Sequence, residues 1–112
     1  MNTIIIEDDL IKRFMLTEFI KEYTTKIDIA TSISEAIPLL ANNQYAFIFI
    51  DHHLPDGKGS EIISTIEQQQ TESKKISISY DLSITENYLK HGYDDVITYS
   101  YDQSFMRVFN KK

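Results

Sequence analysis

Short apolar runs alternate with amphipathic stretches along this chain. Thr3–Ile6 is a β-branched run of the type found in strands buried on both faces. From Leu10 to about Tyr23, the residues Ile11, Phe14, Met15 and Phe19 return at three- and four-residue intervals, which predicts a helix whose apolar face they form. Lys26–Ala30, with Ile27 and Ile29, predicts a second strand, and Ser32-x-x-Glu35 a capping box opening a helix to about Asn42, despite Pro38 inside it. Ala46–Ile50 is the plainest buried strand. A third helix is predicted from Gly59 to about Gln70, with Ile62, Ile63 and Ile66 on one face. Ile76–Ser79 follows as strand four. Ser83-Ile84-Thr85-Glu86 reads as a capping box for a helix ending at His91, with Gly92 as its C′ residue. Val96–Thr98 is the fifth strand and Ser104–Asn110 the last helix. The polar stretch Gln68–Lys75 reads as a solvated helix end and loop.

Five strands alternating with five helices predict a doubly wound α/β fold, with a parallel sheet flanked by helices on both faces. The flavodoxin-like strand order 2-1-3-4-5 puts the ligand crevice at the carboxyl ends of strands one and three. Glu7-Asp8-Asp9 leave the first of these strands and Asp51 leaves the other, so the topology brings several carboxylates to one place. The acids after strand one also suit a helix N-terminus, where the macrodipole favours negative charge. Asp51 directly follows four apolar residues, where a solvated surface acid is a poor explanation. Carboxylates gathered this closely repel one another unless a cation joins them, and a hard, oxygen-seeking ion such as Mg²⁺ fits.

Composition narrows the remaining choices. The 112 residues make one domain the expectation, spanning 1–112, and 42% hydrophobic content is enough for a core. With 11 Lys+Arg against 17 Asp+Glu the net charge is −6, which argues against a basic nucleic-acid-binding face. The absence of Cys excludes disulfides, thiolate metal sites and Cys nucleophiles. No signal-like or membrane-spanning stretch is evident, so a cytoplasmic location is expected. No glycine-rich loop follows the first strand, so neither a P-loop nor a dinucleotide fingerprint is present.

Taken in order, these pieces resemble the receiver domain of two-component response regulators, across essentially the whole chain. Ile4-Ile5-Ile6-Glu7-Asp8-Asp9 is similar to the family's first strand and acidic pair. Asp51-His52-His53-Leu54-Pro55-Asp56-Gly57-Lys58-Gly59 resembles the phosphoacceptor motif, and Ile76-Ser77-Ile78-Ser79 the fourth strand with its switch hydroxyl. Gly92-Tyr93-Asp94-Asp95-Val96-Ile97-Thr98 matches the run into strand five. The resemblance implies a domain that is not an enzyme in its own right. Asp51 would accept a phosphoryl group from a histidine kinase or phosphotransfer protein. Mg²⁺ would be held by Glu7, Asp8, Asp51 and the backbone carbonyl of His53. Ser79 would turn toward the phosphoryl group and switch a downstream protein or output domain. Contact with nucleic acid or membrane is not expected of this domain.

Some positions depart from the family pattern. The strand-five lysine is Tyr99, the following proline is Ser100, and the switch aromatic is Val96; Tyr80 follows Ser79 where small residues are usual. A tyrosine is neutral at pH 7 and brings one hydrogen bond where an ammonium brings charge. Lys58 is a conceivable substitute, although a solvent-facing lysine is the plainer reading. Loop exposure is the expectation for His52 and His53, the latter at a position that tunes hydrolysis in the family. His91 suits a helix C-terminus, and the tyrosines around strand five suit packing or a partner surface. Two other readings stay open: a pseudo-receiver acting as a phosphorylation-independent interaction module, and a small Mg²⁺-dependent phosphohydrolase.

Overall fold

The computed structural model describes residues 2–70, 72–79 and 82–97. Their elements run β1 (Asn2–Ile6), α1 (Leu10–Ile20), β2 (Lys26–Ala30), α2 (Ile33–Asn42), β3 (Phe47–Asp51), β4 (His53–Leu54), β5 (Gly57–Lys58), a 3₁₀ turn (Gly59–Ile62), α3 (Ile63–Gln69), β6 (Lys74–Ile78), α4 (Leu82–Glu86) and β7 (Asp95–Ile97). Five strands form one parallel sheet in the order β2-β1-β3-β6-β7, which is the expected 2-1-3-4-5 arrangement with a small hairpin interposed. That hairpin, β4 paired antiparallel with β5, is too short to leave a hydrophobic pattern and is absent from the sequence reading. Thr98, Tyr99, Ser100, Tyr101, Tyr80 and the expected helix Ser104–Asn110 lie outside the described residues.

The alternation of side chains along each strand sorts the apolar residues into two cores. Ile4, Ile6, Ile48 and Ile50 pack on one face with Leu40, Ile62, Ile66, Ile84 and Tyr93. Ile5, Phe49, Ile76, Ile78 and Ile97 pack on the other against Leu16 and Ile20 of α1. This corrects the expected face of α1. Leu16 and Ile20, four residues apart, point at the sheet, while Ile11, Phe14 and Met15 are exposed and Phe19 is half-buried. The helix carries apolar residues nearly all round, so spacing alone does not choose its inward side.

Other elements follow local chemistry. Ser32 caps α2 by accepting the Glu35 N–H at 3.1 Å, and the helix continues through Pro38. The Glu35 carboxylate reaches back to the Thr31 N–H and hydroxyl, at 2.8 and 2.7 Å. Ile62, Ile63 and Ile66 are buried as expected, although the segment opens as a 3₁₀ turn before becoming helix. The helix expected to end at His91 stops at Glu86 and turns follow it; Ser83 lies inside α4, with its carbonyl accepting from Asn87 Nδ2. Gly92 does adopt the positive φ (+94°) that such a chain reversal requires. Within Gln68–Lys75, Gln70 is buried and Lys74 and Lys75 belong to β6, so this segment is not merely a solvated loop.

A carboxylate pocket at the carboxyl rim of the sheet

Register places the acids together before any side chain is considered. Ile6 lies beside Ile50 in the β1–β3 pair, so Glu7 and Asp51 leave neighbouring strands side by side. Asp51 in turn sits opposite Ile78, which puts Ser79 at the next step along β6. Each of Glu7, Asp8 and Asp51 offers a carboxylate oxygen, and the three oxygens lie within 4.8 Å of one another. Glu7 and Asp51 are buried at 1% and 8% exposure, while Asp8 is exposed. A solvated acidic surface does not bury two of its members.

The turn after β1 divides its three acids between two jobs. Asp9 is the N-cap of α1, accepting from the N–H groups of Ile11 (2.9 Å) and Lys12 (3.1 Å). The helix-start reading therefore holds for Asp9, leaving Glu7 and Asp8 facing Asp51. Arg13 holds the turn from behind, its Nη1 donating to the carbonyls of Glu7 (3.2 Å) and Asp8 (3.0 Å). The Asp9 N–H donates to Glu7 Oε2 at 3.2 Å and aims that carboxylate.

Burial holds the Asp51 carboxyl above its usual range, and the negative charge of Asp8 adds to the effect. Glu7, in hydrogen-bonding contact with Asp51, pulls the other way, as do the His53 N–H (3.2 Å from Asp51 Oδ1) and the positive charge of Lys12. Two carboxyl groups in hydrogen-bonding contact must share a proton or a cation. The donor set is all oxygen, which suits a hard divalent ion such as Mg²⁺.

The loop beyond Asp51 is fixed at Asp56 and at Gly59. Asp56 accepts from the N–H groups of Ile33 (2.8 Å) and Ser34 (3.0 Å), tying the loop to the start of α2. These bonds hold the Asp56 carboxyl below its usual range. Gly59 donates to the His52 carbonyl at 2.7 Å; a Cβ there would lie 2.7 Å from the Asp51 carbonyl, Ile50 Cγ2 and Tyr93 Oη. Only glycine allows that approach.

His52 corrects the expectation of loop exposure: it is 4% exposed, with Nδ1 hydrogen-bonded to the Tyr93 hydroxyl at 3.1 Å. Its ring meets those of His53 and His91 edge-on, at centroid distances of 5.1 and 5.2 Å. His91 thus packs against the loop instead of ending a helix. Burial, with the Asp51 charge nearby, raises the Tyr93 hydroxyl above its ordinary pKa. Tyr93 packs in the core, as one of the two readings for the tyrosines had it. His53 is exposed as expected. Lys58, also exposed, is not simply solvated: its Nζ donates to His53 Nδ1 at 3.4 Å. Ser79 is 3% exposed and its N–H donates to the Ile97 carbonyl at 3.3 Å. Sequence reasoning missed Lys12, Asp56 and the His52–Tyr93 pair. For Lys12 the available signal was its place in the first helical turn after the acids.

A parallel sheet of this order with such a pocket defines the class, and the sequence match gives the family. The chain belongs to the response regulator receiver domain family, which it matches over residues 3–107. No curated protein matches the chain. Among solved structures it is similar to a two-component response regulator from Clostridium difficile (26% identity, TM-score 0.82, covering 98% of this chain and 92% of that one). It also resembles the receiver domain of a sensor histidine kinase from Pseudomonas aeruginosa, which has a magnesium ion coordinated in its active site cleft (16% identity, TM-score 0.83, 98% and 94% covered). A third is a response regulator from Burkholderia pseudomallei with a phosphorylated aspartic acid and a calcium ion (18% identity, TM-score 0.82), of which the chain spans 66% while 98% of this chain is covered.

Proposed function

We propose that this receiver domain accepts a phosphoryl group on Asp51 from a phosphohistidine of a histidine kinase or phosphotransfer protein. The observation that carries the reading is the buried Asp51 carboxylate held within 4.8 Å of Glu7 and Asp8 oxygens at the carboxyl rim of the sheet. Glu7, Asp8, Asp51 and the His53 carbonyl are the groups that would hold Mg²⁺. When bound, the ion supplies neutralisation of phosphoryl oxygens. The rest is positioning by the chain itself. Arg13 and Asp9 fix the acidic turn, while Asp56 and Gly59 fix the loop that carries His53. An Asp51 oxygen attacks phosphorus, the P–N bond to imidazole breaks, and an acyl phosphate results. Ser79, one step along the adjacent strand, supplies the hydroxyl that turns toward the new group and biases the domain toward its active state. On this reading the domain is a cytoplasmic phosphoacceptor controlling a protein partner or output domain, and not an enzyme acting on a separate substrate. Tyr99, at the family's lysine position, brings no positive charge to it.

Incubation with Mg²⁺ and acetyl phosphate tests the reading by intact mass. One added phosphoryl group in the wild type, and none in Asp51→Asn, is the expected result. An unmodified wild-type protein at high donor concentration, with amide resonances indifferent to Mg²⁺, would overturn it.

A further inference from the structure

The charge at the pocket does not close with a divalent ion alone. A phosphoryl group on Asp51 carries about two negative charges, and Glu7 and Asp8 add one each. Mg²⁺ offsets about two of these four, leaving roughly two negative charges beside a partly buried site. Position 99 is tyrosine and brings none of the compensating charge.

The described cations can be sorted by place and partner. Lys21 pairs with Glu18 at the far end of α1, and Lys26 with Asp28 on β2. Lys74 and Lys75 pair with Asp95, Asp94 and Glu67 around the amino end of β6. Arg13 is turned onto the Glu7 and Asp8 carbonyls, and Lys90 lies in the turns between α4 and β7. Among the described residues, two further cations stand at the carboxyl rim. Lys12 stands in the first turn of α1, its N–H held by the same Asp9 cap that ends the acidic turn, and its charge already acts on Asp51. Lys58 stands directly across the hairpin from His53, its ammonium 3.4 Å from the ring of the residue whose N–H binds Asp51.

We propose that Lys12 and Lys58, from two separate elements bordering Asp51, together supply the positive charge that holds the phosphoryl group in this receiver. The inference rests on Asp51 being the phosphoacceptor. An ammonium carries three donors, so the Lys58–His53 contact leaves two of them to be offered to a phosphoryl oxygen. A phosphoryl oxygen offers these groups a charge-assisted acceptor stronger than an imidazole nitrogen.

The test is titration of the full chain, with saturating Mg²⁺, by beryllofluoride, a stable mimic of the phosphoryl group, followed by amide NMR. Lys12→Met and Lys58→Met should each weaken binding about fivefold, and the double variant about twentyfold or more. Lys12→Arg and Lys58→Arg should retain most of the affinity. Thermal midpoints close to wild type in both methionine variants place the loss of affinity in the site and not in the fold, since relief at the helix N-terminus and lost attraction to the acids oppose each other in Lys12→Met. Wild-type binding with unchanged affinity in either methionine variant overturns the inference and leaves the phosphoacceptor reading intact. A wild type that binds no beryllofluoride removes both.

Discussion

The two ends of the same parallel strands treat buried polar groups in opposite ways. At the amino rim, the buried Gln70 amide donates to the carbonyls of Leu40 and Asn43, and its oxygen accepts from the Tyr45 N–H (2.8 Å) and Ser73 Oγ (3.2 Å). Tyr45 completes the set by donating its hydroxyl to Asp28 at 2.6 Å. Donors and acceptors there answer one another within the chain. At the carboxyl rim, Glu7, Asp8 and Asp51 bring three acceptors together, and burial adds to their mutual repulsion. One rim is closed by its own hydrogen bonds; the other is completed only by a proton or a cation. The proposed function uses the rim where the chain leaves its electrostatics open.

The contrast predicts effects of opposite sign. Gln70→Ala leaves the Tyr45 N–H and two carbonyls without their partner, so the domain should lose about 3 kcal/mol of stability in urea unfolding. A loss below about 1 kcal/mol would show that water takes over these bonds and that the rim is less closed than its geometry indicates. Asp51→Asn should do the reverse, gaining about 1–2 kcal/mol by removing a buried like charge while its amide donates to Glu7. The same variant should lose divalent-cation binding, read as the disappearance of Mg²⁺-dependent amide shifts. A destabilised Asp51→Asn would mean that the shared proton already compensates the pocket fully.

The open rim was the more legible of the two in the sequence. Thr3–Ile6 and Ala46–Ile50 are apolar enough to mark central strands, and the topology then forces the acids that follow them together. The division of labour within Glu7-Asp8-Asp9 was not legible, because all three suit a helix start and only the Asp9 bonds to Ile11 and Lys12 decide it. Gln70 was hidden in a run of three glutamines, whose polarity argues for solvent while its place beneath Tyr45 demands burial. The same held for His52, a polar residue beside an acid, buried because Tyr93 arrives from a segment 41 positions away to meet its ring nitrogen. For α1 the obstacle was an excess of apolar residues, which left the inward face to be chosen by the sheet. Long-range pairing decided each of these cases, and residue type alone does not carry it.

Between the rims lies a polar atom that neither end settles. Ser77, in mid-strand on β6, has a fully buried hydroxyl with no hydrogen-bond partner among the described residues. It follows the register of Ile50 and Val96, within the apolar middle of the sheet. Replacing it with Ala removes an unsatisfied polar group at little cost in volume, so Ser77→Ala should stabilise by about 1 kcal/mol, seen as a higher urea midpoint at unchanged slope. A destabilised variant would place a buried water on that hydroxyl and extend the self-satisfied character of the amino rim into the middle of the sheet.

The smallest effect sharpens the comparison within the carboxyl rim itself, where two carboxyl groups five residues apart are shifted oppositely. Asp51 is held above its ordinary value, first by burial, and Asp56 below its ordinary value, first by the Ile33 N–H and then by that of Ser34. A carboxyl whose pKa is higher in the folded chain than in the unfolded one contributes stability that is complete below the unfolded pKa. That contribution is lost as pH rises through the folded pKa. Asp56 behaves in reverse: its contribution is present above the unfolded pKa and is lost as pH falls through the depressed folded one. Urea midpoints measured without divalent ions from about pH 3 to 7 should therefore carry two slopes of opposite sign. Asp51→Asn should abolish the decline on the upper side, and Asp56→Asn should flatten only the acid side. If Asp51→Asn left the upper side untouched, Asp51 would be ionising as freely as a surface acid. The pocket would then lack the electrostatic tension that sets it apart from the amino rim.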